Sequence, residues 1–224
     1  MFLEPVPGAN GALVPPAGYW RAVREACDRH GTLLVADCVL DGFGRLGSWY
    51  GFEPFFDRDG DGSPDLITLS KGITGGYAPL GAVLVHERVA KIFEDRVLLA
   101  GLTFYGHPLG VAAGLEALRV YEDERLIERA KDLGARFVTK ITALQDRLPA
   151  QLPRTRTLGL LSGLEIAGDD ARFARLAAAL ERRRLYTHPN AKVRTIILAP
   201  PLVIEERDLD RGLAELEQAI VESA

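Results

Sequence analysis

The sequence predicts a layered α/β fold, and three observations predict it. Continuous apolar runs at 32–36, Leu66–Leu69 and Ala82–Val85 read as strands buried on both faces, the pattern of a parallel sheet. Segments with helical periodicity alternate with these runs. After Pro108 the texture changes to Ala- and Leu-rich helices separated by short strands, which predicts a second, α+β part.

The elements follow in order. Pro15 and Pro16 precede a helix in which Tyr19, Trp20, Val23, Ala26 and Cys27 recur at helical spacing. Arg29 and His30 suit its last turn, and Gly31 supplies the stop. The run 32–36 ends abruptly at Asp37, and the run Leu66–Leu69 ends at Ser70-Lys71. Helices are expected over 109–121 and over 126–148, the second stopped by Pro149. A glycine-broken strand over 158–166, a helix over 171–184, a short strand over 196–198 and a final helix over 204–221 complete the chain. The boundary is placed within the helix after Pro108, giving domains 1–115 and 116–224.

Composition narrows the function classes. The chain has 224 residues, 47% hydrophobic and 26% charged, enough for one large or two small globular domains. Its 27 basic residues stand against 31 acidic ones, so no basic excess is available to neutralise nucleic-acid phosphates. No apolar run approaches the ~20 residues of a membrane span. Phe2-Leu3-Glu4-Pro5 after Met1 does not read as a secretory signal. Cys27 and Cys38 cannot form a disulfide framework, and Cys38 alternates to the strand face opposite Asp37 and Val39, where it reads as core packing. The expectation is a cytoplasmic protein without nucleic-acid or membrane partners.

The chemistry concentrates at two strand ends. In open α/β sheets ligands bind outside the carboxyl ends of the strands, where Asp37 and Lys71 stand. A lysine there can form a Schiff base with a carbonyl cofactor, and a nearby carboxylate can keep a pyridinium nitrogen protonated. By spacing alone Asp37 also reads as a turn cap and Lys71 as a solvated loop residue. The neighbours sharpen the reading: Lys71 opens Gly72-Ile73-Thr74-Gly75-Gly76, a turn in which backbone can approach a bulky group closely.

Six blocks in order carry a resemblance. Glu4-Pro5-Val6, Leu34-Val35-Ala36-Asp37, Gly42-Phe43-Gly44-Arg45, Leu69-Ser70-Lys71-Gly72, the Thr103 block Gly101-Leu102-Thr103-Phe104-Tyr105-Gly106-His107-Pro108, and Ala199-Pro200-Pro201-Leu202 resemble the class III (omega, subgroup II) aminotransferases. These are fold type I enzymes dependent on pyridoxal 5'-phosphate. The resemblance covers essentially the whole chain but only the C-terminal half of such an enzyme. It implies part of the large-domain sheet with its helices, followed by a small C-terminal α+β domain. It also implies that Lys71 holds the cofactor and shuttles protons, Asp37 partners the pyridine nitrogen, and Val39 packs on one ring face. Thr103 is implied to reach across a homodimer interface to the phosphate of the second copy's cofactor. Arg45 resembles an arginine read as structural, a buried ion pair fixing the loop after Asp37.

The departures bear on substrate. Cys38-Val39-Leu40 replaces a common Glu-Val-Gln, so Leu40 offers no hydrogen bond to the cofactor's phenolic oxygen, and Pro7 stands where glutamine is common. The branch acting on ornithine or 4-aminobutyrate has an arginine and a glutamate where Ile197 and Ala9 stand here. That shifts the expected donor to an amine or ω-amino acid and the acceptor to a 2-oxo acid. His188, Lys192 and Arg194 are candidates for an acidic substrate group, although exposed basic residues are commonly just solvated.

Asp57-Arg58-Asp59-Gly60-Asp61-Gly62-Ser63-Pro64-Asp65 has calcium-loop spacing, but Thr68 stands where the bidentate glutamate belongs, so a solvated insertion with no metal is expected. The resemblance places the glycine/serine phosphate loop and the ring-stacking aromatic before Met1, and leaves unpaired sheet edges and exposed apolar surface. A working aminotransferase part is the expected function. A non-catalytic remnant or dimerising module, and a racemase, aminomutase or decarboxylase on the same fold, are the alternatives.

Overall fold

The computed structural model describes residues 1–56 and 62–224, and the chain forms two compact units. The first takes Met1–Pro5, Pro15–Gly44 and Ser48–Ile127; the second takes Val6–Val14, Arg45–Gly47 and Glu128–Ala224. The acidic calcium-loop segment lies outside the described residues from Asp57 through Asp61.

The first unit is built on β1 (Phe2–Leu3), α1 (Tyr19–Arg29), β2 (Val35–Asp37), β3 (Leu66–Leu69), β4 (Ala82–Val85), α2 (Glu87–Ala90) and α3 (Pro108–Asp123). The sheet order is β1-β2-β3-β4. β1, β2 and β3 run parallel, with Phe2 and Leu66 on either side of Val35 and with Asp37 opposite Thr68. β4 departs from the expected buried strand. It runs antiparallel to β3 at the sheet edge, and Val83, Leu84 and Val85 are exposed. A four-residue apolar run states a strand but not which neighbours it has, so its position could not be read from periodicity. β2 is also shorter than expected, because Thr32 and Leu33 are exposed and outside the strand.

Helix α1 forms for the reason its spacing predicted. Trp20, Arg24 and Cys27 recur on one buried face, and Trp20 and Cys27 cluster with Leu34 against Leu3, Phe55 and Phe56. It ends where Gly31 takes a φ of 60° and Thr32 N–H donates back to the Cys27 carbonyl. The buried Arg24 is answered by Asp65, which stands just before β3. Asp65 accepts from Arg24 (2.9 Å), from the Leu34 N–H (2.7 Å) and from Arg88 of α2. Burial pushes the Asp65 carboxyl up, but the Leu34 amide and the two guanidiniums outweigh it and hold the group at about 2. One carboxylate thus ties the start of β2, the start of β3, α1 and α2 together.

The second unit contains most of α4 (Leu126–Arg147), then β5 (Arg154–Leu158), β6 (Leu161–Glu165), α5 (Asp170–Arg182), β7 (His188–Asn190), β8 (Thr195–Leu198) and α6 (Glu206–Glu222). Its antiparallel sheet has the order β5-β6-β8-β7. The single glycine-broken strand expected over 158–166 is a hairpin instead. Leu158 pairs with Leu161, and Gly159 in the turn has a φ of 55°. A side chain there would start 2.6 Å from the Leu46 Cα, so both backbone freedom and space require glycine. The core packs Phe137, Ile141 and Leu144 of α4, Leu164 and Ile196 of the sheet, Phe173, Leu176 and Leu180 of α5, and Leu216 and Ile220 of α6.

Candidate active site

Two adjacent parallel strands of the first unit lead to the two candidate residues Asp37 and Lys71. Asp37 closes β2, opposite Thr68 of β3, and Lys71 stands three residues beyond Thr68. The Asp37 carboxylate is half-buried, and its Oδ1 accepts the Val39 N–H at 3.2 Å, an Asx-type turn that leaves further lone pairs for another donor. Lys71 is exposed, and among the described residues no carboxylate lies within ion-pair distance of its Nζ.

The backbone at Lys71 is in an uncommon state. Ser70 is extended, Lys71 takes a φ of 40°, and a short 3-10 turn, Lys71–Thr74, follows and ends on left-handed Gly75. A left-handed conformation in a residue with a Cβ costs roughly 1–2 kcal/mol and persists only where surrounding structure imposes it. The restraints are visible. Ser70 Oγ donates to the Leu80 carbonyl (3.1 Å), and Thr74 Oγ1 donates to the Ala78 carbonyl (2.7 Å). Gly72 lies so close to Phe43 that a Cβ on it would be 2.6 Å from the Phe43 Cβ. The Gly72 carbonyl accepts the Tyr121 hydroxyl at 3.1 Å. Phe43, Trp49 and Tyr121 form a ring cluster, with centroids 5.8 Å apart for the two pairs that include Tyr121.

The other expected residues lie as follows. Val39 is half-buried two positions past Asp37. Cys38 is fully buried, and burial, with the Asp41 charge beside it, pushes its thiol up despite the N–H groups of Gly51 and Phe52, so it is an inert core thiol. Thr103 sits in an exposed turn amid exposed Leu102, Phe104 and Tyr105. In the second unit, Arg45 Nη1 donates to the carbonyls of Leu160 (3.0 Å) and Pro200 (2.6 Å), contacts of a structural kind. Ile197 is buried in β8, and the Ala9 carbonyl accepts the Asn190 amide. His188 belongs to β7, Lys192 is exposed in the turn after it, and Arg194 pairs with Asp170 at 3.2 Å.

Two features escaped the sequence reading. Thr68 Oγ1, on the strand residue opposite Asp37, is buried without a hydrogen-bond partner among the described residues. Tyr121 reads in sequence as one more apolar position of a helix; its hydroxyl's target lies 49 residues away, and no local signal reveals it.

Comparison with known proteins gives this geometry its context. The chain is 31% identical to the taurine–pyruvate aminotransferase of Bilophila wadsworthia over 98% of its own length and 51% of the relative's. It is 37% identical to the acetylornithine aminotransferase of Methanothermobacter thermautotrophicus, over 98% of this chain and 53% of that protein. A crystal structure of an amine transaminase from an uncultivated Pseudomonas species, in its pyridoxal-phosphate-bound form, superposes with a TM-score of 0.90 at 35% identity, over 100% of this chain and 52% of the other. The chain therefore spans about half the length of the curated relatives it matches. A family model, aminotransferase class III, accounts for residues 1–220 of it. The α/β sheet with a lysine-bearing turn is thus part of a known enzyme architecture, and the chain belongs to the class III aminotransferases, a family of pyridoxal-phosphate enzymes.

Proposed function

We propose that this chain is the lysine-bearing part of an aminotransferase that moves an amino group from an amine or ω-amino acid to a 2-oxo acid. The observation that carries the reading is Lys71. It is an amine with no ion pair among the described residues, on a left-handed backbone, just past the strand beside the one that Asp37 closes. The donor set suits pyridoxal phosphate: an exposed primary amine for its aldehyde and a carboxylate with open lone pairs for its ring nitrogen. When bound, the cofactor supplies the carbonyl that takes up the amino group and a ring that accepts electrons. Lys71 would hold it, then take a proton from the substrate carbon with its released Nζ and return it on the other side of the transfer. Asp37 keeps the ring nitrogen protonated, Val39 packs against one ring face, and Thr103 serves the cofactor phosphate of a second copy in a homodimer.

Ile197 and Ala9, at the places where an arginine and a glutamate serve ornithine-type donors, favour an amine or ω-amino acid donor. Arg194, already held by Asp170, is the weakest of the three basic candidates for an acidic substrate group. The same reading places the protein in the cytoplasm, where the buried thiols Cys27 and Cys38 stay reduced.

The test is an absorbance spectrum with added pyridoxal phosphate, followed by borohydride reduction and peptide mapping. A reduced adduct on Lys71, absent from Lys71→Ala together with amino transfer from amines to pyruvate or 2-oxoglutarate, is the expected result. Transfer activity surviving in Lys71→Ala would overturn the assignment of Lys71, and an unmodified Lys71 without transfer would leave a non-catalytic remnant of the family.

A further inference from the structure

We propose that Tyr121 is a positioning residue for Lys71: its hydroxyl, bonded to the Gly72 carbonyl, holds the preceding residue in the left-handed backbone that aims the amine. The inference deepens the functional reading above and rests on it. Lys71 heads a 3-10 turn at a φ of 40°, and a lysine there relaxes toward ordinary backbone unless both flanks are held. Ser70 holds one flank through the Leu80 carbonyl. The other flank is Gly72, pressed against Phe43 and bonded to Tyr121 at 3.1 Å.

Helix α3 is shaped for this contact. Gly110, Gly114 and Tyr121 are its buried positions. A Cβ at Gly110 would lie 3.1 Å from the Pro79 carbonyl oxygen, and one at Gly114 would lie 2.9 Å from Leu80 Cδ2 and 3.4 Å from the Ile73 carbonyl oxygen. The two glycines let the helix lie directly on the lysine turn, and Tyr121 extends the same contact to Gly72. The tyrosine is itself fixed by Phe43 and Trp49, so its hydroxyl is a rigid donor rather than a mobile one. Tyr121 thus acts on the amine through the Gly72 backbone.

The experiment compares the full chain with Tyr121→Phe, which keeps the ring. In the variant, borohydride-trapped pyridoxal-phosphate labelling of Lys71 slows about tenfold, while labelling of Lys140 on α4 is unchanged. Amide exchange at Ile73 and Gly75, the donors within the turn, speeds up at least about fivefold. Lys71→Gly is the second variant. Glycine takes left-handed backbone without strain, so the fall in Tm caused by Tyr121→Phe shrinks to about half or less in that background. Wild-type turn exchange in Tyr121→Phe, or an equal fall in Tm in both backgrounds, would overturn the proposal. A wild-type chain that takes no cofactor at Lys71 sinks the functional reading instead, and the exchange and Tm measurements still decide Tyr121.

Discussion

A carboxylate with only 2% of its surface in water must be fully partnered, and Asp65 meets that demand with two guanidiniums and a backbone N–H. Its folded value of about 2 lies below the ordinary 3.8, so the folded state favours the ionised form. The stabilisation is therefore complete above about pH 4 and is lost as pH falls from about 4 toward 2, a difference of about 2 kcal/mol. Urea titrations at pH 6 and pH 2.5 check this: Asp65→Asn should be less stable by about 3 kcal/mol at pH 6, because Arg24 loses its buried partner, and should show a smaller acid-induced fall than wild type. A variant as acid-sensitive as the wild type would remove Asp65 from the account. The contrast with Asp37 shows what a sequence reveals at this scale. The strand-end positions of Asp37 and Lys71 were legible because each follows an apolar run, where a polar residue is conspicuous. Asp65 follows Ser63-Pro64 and reads as an ordinary turn residue; its importance comes from Arg24 and Arg88, which lie 41 and 23 positions away.

Among the elements, those with a complete local signal were legible and those defined by partners were not. Helices α1, α3, α4, α5 and α6 each bury a periodic face, so their positions followed from spacing, with ends moved by a few residues. Strand β5 has the sequence Arg154-Thr155-Arg156-Thr157-Leu158, with no apolar run, and exists because β6 supplies its ladder. Strand β4 had the apolar run but lies at an edge. The hairpin between β5 and β6 allows a direct test. Gly159→Ala must place a Cβ at a left-handed position and 2.6 Å from the Leu46 Cα, so the variant is expected to lose about 2–3 kcal/mol and several degrees of Tm. Gly31→Ala also meets a left-handed φ of 60°, but no described residue lies within 4 Å of the added Cβ, and its loss should stay near 1 kcal/mol. Equal Tm shifts for the two would show that the close approach at Leu46 contributes nothing.

At the scale of the whole molecule the surface is the informative part. A soluble monomer rarely displays large contiguous apolar patches, yet Val97, Leu98, Leu99, Leu102, Phe104 and Tyr105 are all exposed, Leu99 at 95% and Phe104 at 78%. The segment also contains Thr103, the residue proposed to serve a second copy's cofactor. If a second copy covers this surface, the chain self-associates at micromolar concentration, and removing the apolar contacts shifts it toward monomer. Leu99→Ser combined with Phe104→Ser removes large side chains that do no work in the core of the first unit, so its fold should survive. A wild-type circular-dichroism spectrum and Tm in the double variant provide the internal check that it has. Sedimentation velocity over a tenfold range of concentration should show the wild type as dimer and the double variant dissociating at least about tenfold more readily, the scale set by losing two buried apolar anchors. An unchanged sedimentation profile in a variant with wild-type circular dichroism and Tm would mean that this segment is not where copies meet, and the role proposed for Thr103 would fall with it.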